Sequence, residues 1–237
     1  MKAILFDMDG TLLPLDLDVF VHHYFKELTA FAATLGFSKE ELTTVLWRGI
    51  KAMIKNDGGA SNAARFWEEM RAGFPDWDGD TSVFDRFYET EFDRISAQVT
   101  AHPTAAACIA KLKEKGYRLI LATNPVFPES AQHHRLRWAG LDPADFEWIT
   151  HFENAHFCKP NPAYYREILS LRGLTPADCA MVGNDVEEDM EAARAAGIDG
   201  WLLTDLIINR KERDLSAYPH GHFDDLYAWI CALPDAS

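Results

Sequence analysis

Four short apolar segments that each end in polar residues constrain the fold of this chain more than any other feature. Within residues 2–7 the run AILF is immediately followed by Asp7. Similar segments occupy residues 117–122 (YRLILA), 180–182 (AMV) and 200–203 (GWLL). An uninterrupted apolar run predicts a strand covered on both faces. These segments therefore indicate a parallel sheet with helices on each side.

The segments between these strands are predicted to be helical. Residues 104–115 are rich in alanine, have a basic end and are followed by Gly116, a suitable C-cap. Residues 162–171 begin with a proline, and residues 187–196 end before Gly197. Strands that alternate with helices at this spacing indicate βαβ units. The sequence predicts an α/β fold with a doubly wound, Rossmann-like parallel sheet as its core.

Residues 16–99 have a different character, because aromatic and aliphatic side chains recur there at helical spacing and no segment resembles a strand. Phe20, Tyr24, Leu28 and Phe31 form one such stripe. We interpret this block as a small all-helical domain inserted after the first strand. The predicted division is an α/β core of residues 1–15 and 100–237 and a helical domain of residues 16–99.

Composition argues against several kinds of partner. The formal net charge of −14 predicts that nucleic acid and anionic membranes are repelled. The four cysteines are scattered and include no C-x-x-C pair, which argues against a zinc site and suits a reducing compartment. No apolar run approaches the length of a membrane span, and the N-terminus lacks the pattern of a secretory signal. We therefore expect a cytoplasmic protein.

The first polar cluster, Asp7-Met8-Asp9-Gly10-Thr11, contains two acids two residues apart. Asp7 is suited to attack phosphorus, because a carboxylate is a competent nucleophile that forms an aspartyl phosphate. Asp9 could protonate the leaving oxygen and later deprotonate water, and Gly10 permits the turn between strand and loop. The alternative is an Asp-Gly turn that ends a strand, with Asp9 as a cap.

Two further clusters offer groups that suit a phosphoryl ligand. Thr123 and Asn124 end the second strand, where a hydroxyl and backbone N–H groups could bind a phosphoryl oxygen; the alternative is an ordinary Asn-Pro turn. Lys159, in the segment KPNP, could neutralise Asp7 and a transferring phosphoryl group; the alternative is an exposed loop lysine.

The fourth cluster, within residues 182–190 (VGNDVEEDM), is rich in oxygen ligands. Carboxylate and amide oxygens at a strand end can coordinate Mg²⁺. The alternative is the start of a helix, in which Asp185 and Glu188 form a capping box. Both interpretations place this cluster at the carboxyl edge of the sheet, where open α/β sheets bind ligands.

Taken in order, these clusters resemble the motifs of the haloacid dehalogenase superfamily over about residues 1–13 and 100–205. The resemblance implies that Asp7 is the nucleophile, that Asp9 is the general acid and base, and that both hold Mg²⁺, Asp9 through its backbone carbonyl. It also implies phosphate binding by Thr123 with Asn124, and gives Lys159 the role of the lysine in the third motif. The insert resembles the cap domain of the family in position and size alone.

The fourth motif departs from the family pattern, because Gly-Asn-Asp stands where Gly-Asp is usual. Either Asn184 or Asp185 could therefore be the metal ligand, with Asp189 in a supporting position. We favour Asp185 as the direct ligand because a carboxylate carries charge, with Asn184 orienting the nucleophile or a water.

The resemblance implies a Mg²⁺-dependent phosphatase that hydrolyses a small phosphorylated metabolite through an aspartyl phosphate. A phosphomutase on the same scaffold is the nearest alternative. A dehalogenase is disfavoured, because the dehalogenases of the family lack the acid that Asp9 provides. A non-catalytic protein that binds a phosphorylated metabolite is a further alternative, which the intact motifs make unattractive.

Overall fold

A six-stranded, all-parallel sheet in the order β3-β2-β1-β4-β5-β6 forms the centre of the computed structural model, which describes residues 1–236. The strands are β1 (Ala3–Phe6), β2 (Arg118–Leu121), β3 (Trp148–Ile149), β4 (Cys179–Gly183), β5 (Asp199–Leu203) and β6 (His220–Gly221). The predicted α/β core with a parallel sheet is confirmed. The two-residue edge strands β3 and β6 are additions that the sequence analysis did not predict.

The first strand lies in the middle of the sheet and sets its connectivity. Phe6 is paired with Leu121 of β2 on one side and with Val182 of β4 on the other. The later strands are therefore added on both sides of β1: β2 and β3 lie on one side, and β4, β5 and β6 lie on the other. A crevice opens at the carboxyl ends of β1, β2 and β4, where the strand order reverses. The polar clusters that follow β1, β2 and β4 meet at this crevice.

Helices cover both faces of the sheet, and two of them, over residues 103–114 and 162–172, agree closely with predicted segments. The helices are α5 (Pro103–Glu114), α6 (Glu129–Trp138), α7 (Pro162–Arg172), α8 (Ala192–Ala195) and α9 (Phe223–Ala232). One prediction was wrong in detail: the helix expected over residues 187–196 consists of a π-helical turn, Val186–Glu191, followed by the short α8. The wider turn allows Met190 N as well as Asp189 N to donate to the carbonyl of Asp185.

The block between β1 and α5 is helical, as predicted. It contains α1 (Leu17–Ala33), α2 (Lys39–Ile54), α3 (Asn62–Gly73), α4 (Ser82–Thr90) and a 3₁₀ segment, Phe92–Gln98. Its aromatic stripe packs on the core, because the ring of Tyr24 lies 5.0 Å from that of Phe127 and one apolar cluster extends from β1 into α4. The division into two domains at residues 15/16 and 99/100 stays a prediction.

The start of α3 ties the helical insert to the α/β core. The backbone N–H groups of Asn62 and Ala63 donate to the carbonyls of Ala155 and Phe152 at 2.8 Å each. The buried Asn62 side chain also donates to the carbonyl of Pro125 at 3.2 Å, just beyond the end of β2. These bonds hold the insert over the carboxyl edge of the sheet. Within residues 1–236, every helix is too short or too polar to cross a bilayer.

Candidate active site

Asp7 lies directly after β1, and its backbone N–H donates to the carbonyl of Val182 at 2.9 Å. The chain then turns sharply, since the N–H of Gly10 donates to Leu13 and that of Leu13 donates to Met8. Gly10 has a φ of +75°, and a Cβ at this position would collide with the side chain of Asn184. This turn places Asp7 and Asp9 at one end of the sheet.

A buried ammonium group joins two carboxylates at this point. Lys159 Nζ donates to Asp7 Oδ1 at 2.8 Å and to Asp189 Oδ1 at 2.6 Å, and the lysine side chain is 1% exposed. Burial alone would lower the pKa of Lys159, but the adjacent carboxylates of Asp189 and Asp7 raise it well above its ordinary value. Lys159 is therefore a fixed positive charge beside Asp7, and the alternative of an exposed loop lysine was wrong.

The surroundings of the Asp7 carboxylate disfavour its ionised form. Burial is the main cause that raises its pKa to about 7; Lys159 opposes the rise, while Asp189 and Asp9 add to it. Burial likewise raises the pKa of Asp189. A cation bound close to Asp7 would favour its ionised form, which is the form that can act as a nucleophile.

Asp9 pairs with a residue that the sequence analysis did not single out. Arg135, on α6, has a fully buried side chain and donates from Nη2 to Asp9 Oδ1 and from Nη1 to Gln132 Oε1. Its guanidinium is also flanked by the rings of Phe20 and Phe127, at 5.1 and 5.0 Å. Asp9 is thus fixed by a charge that reaches it from α6.

Asp189 organises the segment after β4. Its Oδ2 accepts hydrogen bonds from the backbone N–H groups of Asn184 and Asp185, both at 3.0 Å. Gly183 permits this approach, because a Cβ there would collide with the Asp189 carboxylate. The same carboxylate thus binds Lys159 through one oxygen and fixes the backbone of the fourth motif through the other.

The two candidate metal ligands of this motif have different surroundings. Asn184 Oδ1 accepts from the hydroxyl of Thr11 at 3.2 Å, so its amide faces the Asp7 turn. Asp185 Oδ1 caps the π-helical turn by accepting from two backbone N–H groups, and its Oδ2 pairs with Arg210 at 2.7 Å. The capping box considered as the alternative interpretation is incomplete: Asp185 caps the turn, but the Glu188 side chain accepts a hydrogen bond from Asn124 instead.

Thr123 and Asn124 lie at the predicted place after β2. The backbone carbonyl of Thr123 accepts from the buried hydroxyls of Thr150 and Tyr164, both at 2.8 Å. The side chain of Asn124 accepts from the N–H of Lys159 at 3.2 Å and donates to Glu188 at 3.2 Å. Asn124 thus links the polar clusters that follow β2 and β4 to the segment of Lys159. Phosphate binding by Thr123 and Asn124, through side chains or backbone N–H groups, stays a prediction.

The predicted site residues, apart from the buried Lys159, line one cavity of about 240 Å³. Within the part of the chain that the structure describes, no three His, Cys, Asp or Glu side chains are arranged as a ready metal cluster. Mg²⁺ does not require one, because it keeps several waters and binds through one or two carboxylates. Asp7, Asp185 and Asn184 offer carboxylate and amide oxygens to the same cavity. This set of donors fits a magnesium ion.

Comparisons with known proteins identify the family of the chain. Residues 1–197 match the family model of haloacid dehalogenase-like hydrolases. A phosphoglycolate phosphatase of Rhodospirillum rubrum is 28% identical over 83% of this chain and 77% of that enzyme. A phosphoserine phosphatase of Thermus thermophilus is 32% identical over 45% of this chain, and the match spans only 42% of that enzyme. A 2-haloacid dehalogenase structure from Pseudomonas syringae pv. Tomato shares the fold, with a TM-score of 0.66, 18% identity and 98% coverage of both chains.

The buried Arg135–Asp9 pair leads to a prediction about stability. Arg135→Met keeps the length of the side chain but leaves Asp9 without its cation, so the free energy of unfolding should fall by roughly 3 kcal/mol. Arg137→Met, on the exposed side of the same helix, is the matched control and should change it by less than about 0.5 kcal/mol. Urea unfolding of both variants provides the measurement. Equal stabilities would show that the pair contributes nothing to the fold.

Proposed function

The chain belongs to the haloacid dehalogenase-like hydrolases, and on that premise we propose that it hydrolyses a small phosphomonoester through an aspartyl phosphate on Asp7. One observation carries the proposal. The carboxylate of Asp7 contacts a buried, charged Lys159 at 2.8 Å, and a second acid, Asp9, faces the same cavity. A nucleophile, a fixed positive charge and a candidate proton donor are the groups that transfer of a phosphoryl group requires.

The proposed reaction has two steps. An oxygen of Asp7 forms a bond to phosphorus while the bond from phosphorus to the alcohol oxygen breaks, and Asp9 gives that oxygen a proton. Water then attacks the same phosphorus, Asp9 takes a proton from it, and the carboxylate of Asp7 leaves. Lys159 offsets negative charge throughout. Thr123 and Asn124 are proposed to bind the phosphoryl oxygens.

We further propose that Mg²⁺ is held by the carboxylate of Asp7, the backbone carbonyl of Asp9 and a side-chain oxygen of Asp185 or Asn184. When bound, the ion would reduce the repulsion between the Asp7 carboxylate and the anionic phosphoryl group. Asp185 remains the favoured ligand because of its charge. Its Oδ1 caps the π-helical turn, so a metal would bind through Oδ2, and the ion pair of Oδ2 with Arg210 would have to open or share that oxygen.

The same fold also carries dehalogenation, so the fold alone does not choose the reaction. Asp9 supports the phosphatase, because a dehalogenase has no alcohol leaving group that needs a proton. A phosphomutase would use the same residues but return the phosphoryl group to a substrate. The cavity opens to the surface, which allows water to reach the aspartyl phosphate.

Asp7→Asn should reduce phosphate release at least ~10³-fold, because the amide cannot act as the nucleophile and no other residue replaces it. Asp224→Asn, on the exposed face of α9, is the control and should retain full activity. Phosphate release from a panel of small phosphomonoesters, measured with Mg²⁺, gives the comparison. Near-normal release by Asp7→Asn would exclude covalent catalysis at Asp7.

Asp9→Asn should slow hydrolysis more when the leaving group is more basic, because a more basic leaving oxygen depends more on a proton donor. The amide can still accept a hydrogen bond from Arg135, so the fold is kept, but it cannot supply a proton. We expect a loss of at least ~10²-fold with an alkyl phosphate and a much smaller loss with 4-nitrophenyl phosphate. If both esters lose rate equally, Asp9 is not the general acid.

Chelation by EDTA should abolish activity, and Mg²⁺ should restore it. Asp185→Ala should then raise the Mg²⁺ concentration for half-maximal rate at least ~10-fold, and more than Asn184→Ala does, because it removes a charged ligand. Measuring activity against Mg²⁺ concentration for both variants shows which of them has the higher Mg²⁺ requirement. If Asp185→Ala costs only thermal stability while Asn184→Ala raises the requirement, Asp185 is solely a helix cap and Asn184 is the ligand.

A further inference from the structure

Two helices of the insert cover the candidate site with apolar side chains. Leu17, Val21 and Phe25 occupy one stripe of α1, and Trp47, Ile50 and Ile54 occupy one stripe of α2. All of these side chains line the same cavity as Asp7 and Asp9. The cavity therefore has a polar floor at the strand ends and an apolar wall opposite.

Part of this wall is exposed at the surface. The side chains of Leu17, Trp47 and Ile54 are 38%, 51% and 45% exposed, although each is large and apolar. The ring of Trp47 stacks on that of Phe25, with centroids 4.9 Å apart and an angle of 20° between the planes. Contiguous apolar surface around a cleft is typical of a binding site for an apolar group.

Few positive charges are available on the wall side. Among the described residues that line the cavity, Arg210 is the one Lys or Arg, and it pairs with Asp185. Lys159 lies below the floor, between two carboxylates. Lys51 of α2 and Lys55, the residue after this helix, are exposed and do not line the cavity. A second anionic group on a substrate would therefore lose its hydration against apolar side chains without gaining a partner.

The dimensions of the cavity restrict the leaving group further. Its volume is about 240 Å³, and a second compartment of about 40 Å³ adjoins it behind Tyr24, Ile50, Val126 and Phe127. An apolar cavity of about 150 Å³ accommodates one benzene molecule. After the phosphoryl group is placed at the floor, the remaining space suits one ring or a short alkyl chain.

We propose that the leaving alcohol of the substrate is small, apolar and uncharged, such as a benzyl-type or short alkyl alcohol, and carries no second anionic group. This inference rests on the proposed phosphatase function and adds the chemical class of the substrate. The stripes of α1 and α2 bind the alcohol portion, while the strand ends around Asp7 bind the phosphoryl portion and Lys159 offsets its charge from beneath the floor.

The test compares benzyl phosphate with 4-carboxybenzyl phosphate, whose leaving alcohols are nearly equal in basicity and differ by one remote charge. With Mg²⁺, kcat/KM should be at least ~30-fold higher for the uncharged ester. Phosphoglycolate, which also carries a carboxylate, should be as poor a substrate as the carboxybenzyl ester. A ratio near one, or a preference for either carboxylate-bearing ester, would overturn the inference and leave the phosphatase function standing.

A substitution in the apolar wall tests whether α1 and α2 cause the preference for the uncharged ester. Ile54→Lys places a cation at the exposed edge of the cavity and should reduce the preference for benzyl phosphate at least ~5-fold. Leu171→Lys, at a similarly exposed position on α7 away from the cavity, is the matched control and should leave the ratio unchanged. If Ile54→Lys leaves the ratio unchanged, the apolar wall does not contact the alcohol. If the wild-type protein releases phosphate from none of the three esters but does so from other members of the phosphomonoester panel, the inference falls and the phosphatase function stands; if it releases phosphate from no ester of the panel, both fall.

Discussion

The Lys159 ammonium between Asp7 and Asp189 is the interaction on which the rest of the site depends. It joins three segments that are distant in sequence: the end of β1, the loop before α7 and the π-helical turn after β4. All three side chains are largely buried, so removal of one charge would leave the others uncompensated. The cluster therefore fixes the relative positions of these segments as well as the charge beside the nucleophile.

Further contacts extend from this cluster. The second oxygen of Asp189 holds the backbone of Asn184 and Asp185, and Asn124 ties the Lys159 loop to Glu188 of the π-helical turn. Contacts of this kind hold side chains in a fixed orientation, which is how a protein keeps reacting groups oriented. The residual excess of negative charge around Asp7 is consistent with a cation as a further component.

The sequence predicted the parts of this arrangement that depend on local pattern. Apolar runs that end in polar residues located β1, β2, β4 and β5, and the order of the motifs identified the family, which the family match confirms. Arg135 escaped notice because its helix, ESAQHHRLRW, is mostly polar and has no apolar period that would indicate burial. Its partner Asp9 is 126 residues away, and such a pairing becomes visible only when the fold brings the two together. The edge strands β3 and β6 are too short to produce a pattern.

The distribution of charge within the cavity gives the two ends of a substrate different environments. At the strand ends, the buried charge of Lys159 can offset that of an anionic phosphoryl group, which every phosphomonoester carries. Against the insert, the apolar stripes of α1 and α2 can discriminate among alcohols by burial of surface and by exclusion of charge. In the proposed mechanism the motifs of the α/β core carry out the reaction, and the insert supplies the surface against which the alcohol portion would lie. We therefore expect the side chains of α1 and α2 that line the cavity, more than the residues at the strand ends, to distinguish one phosphomonoester from another.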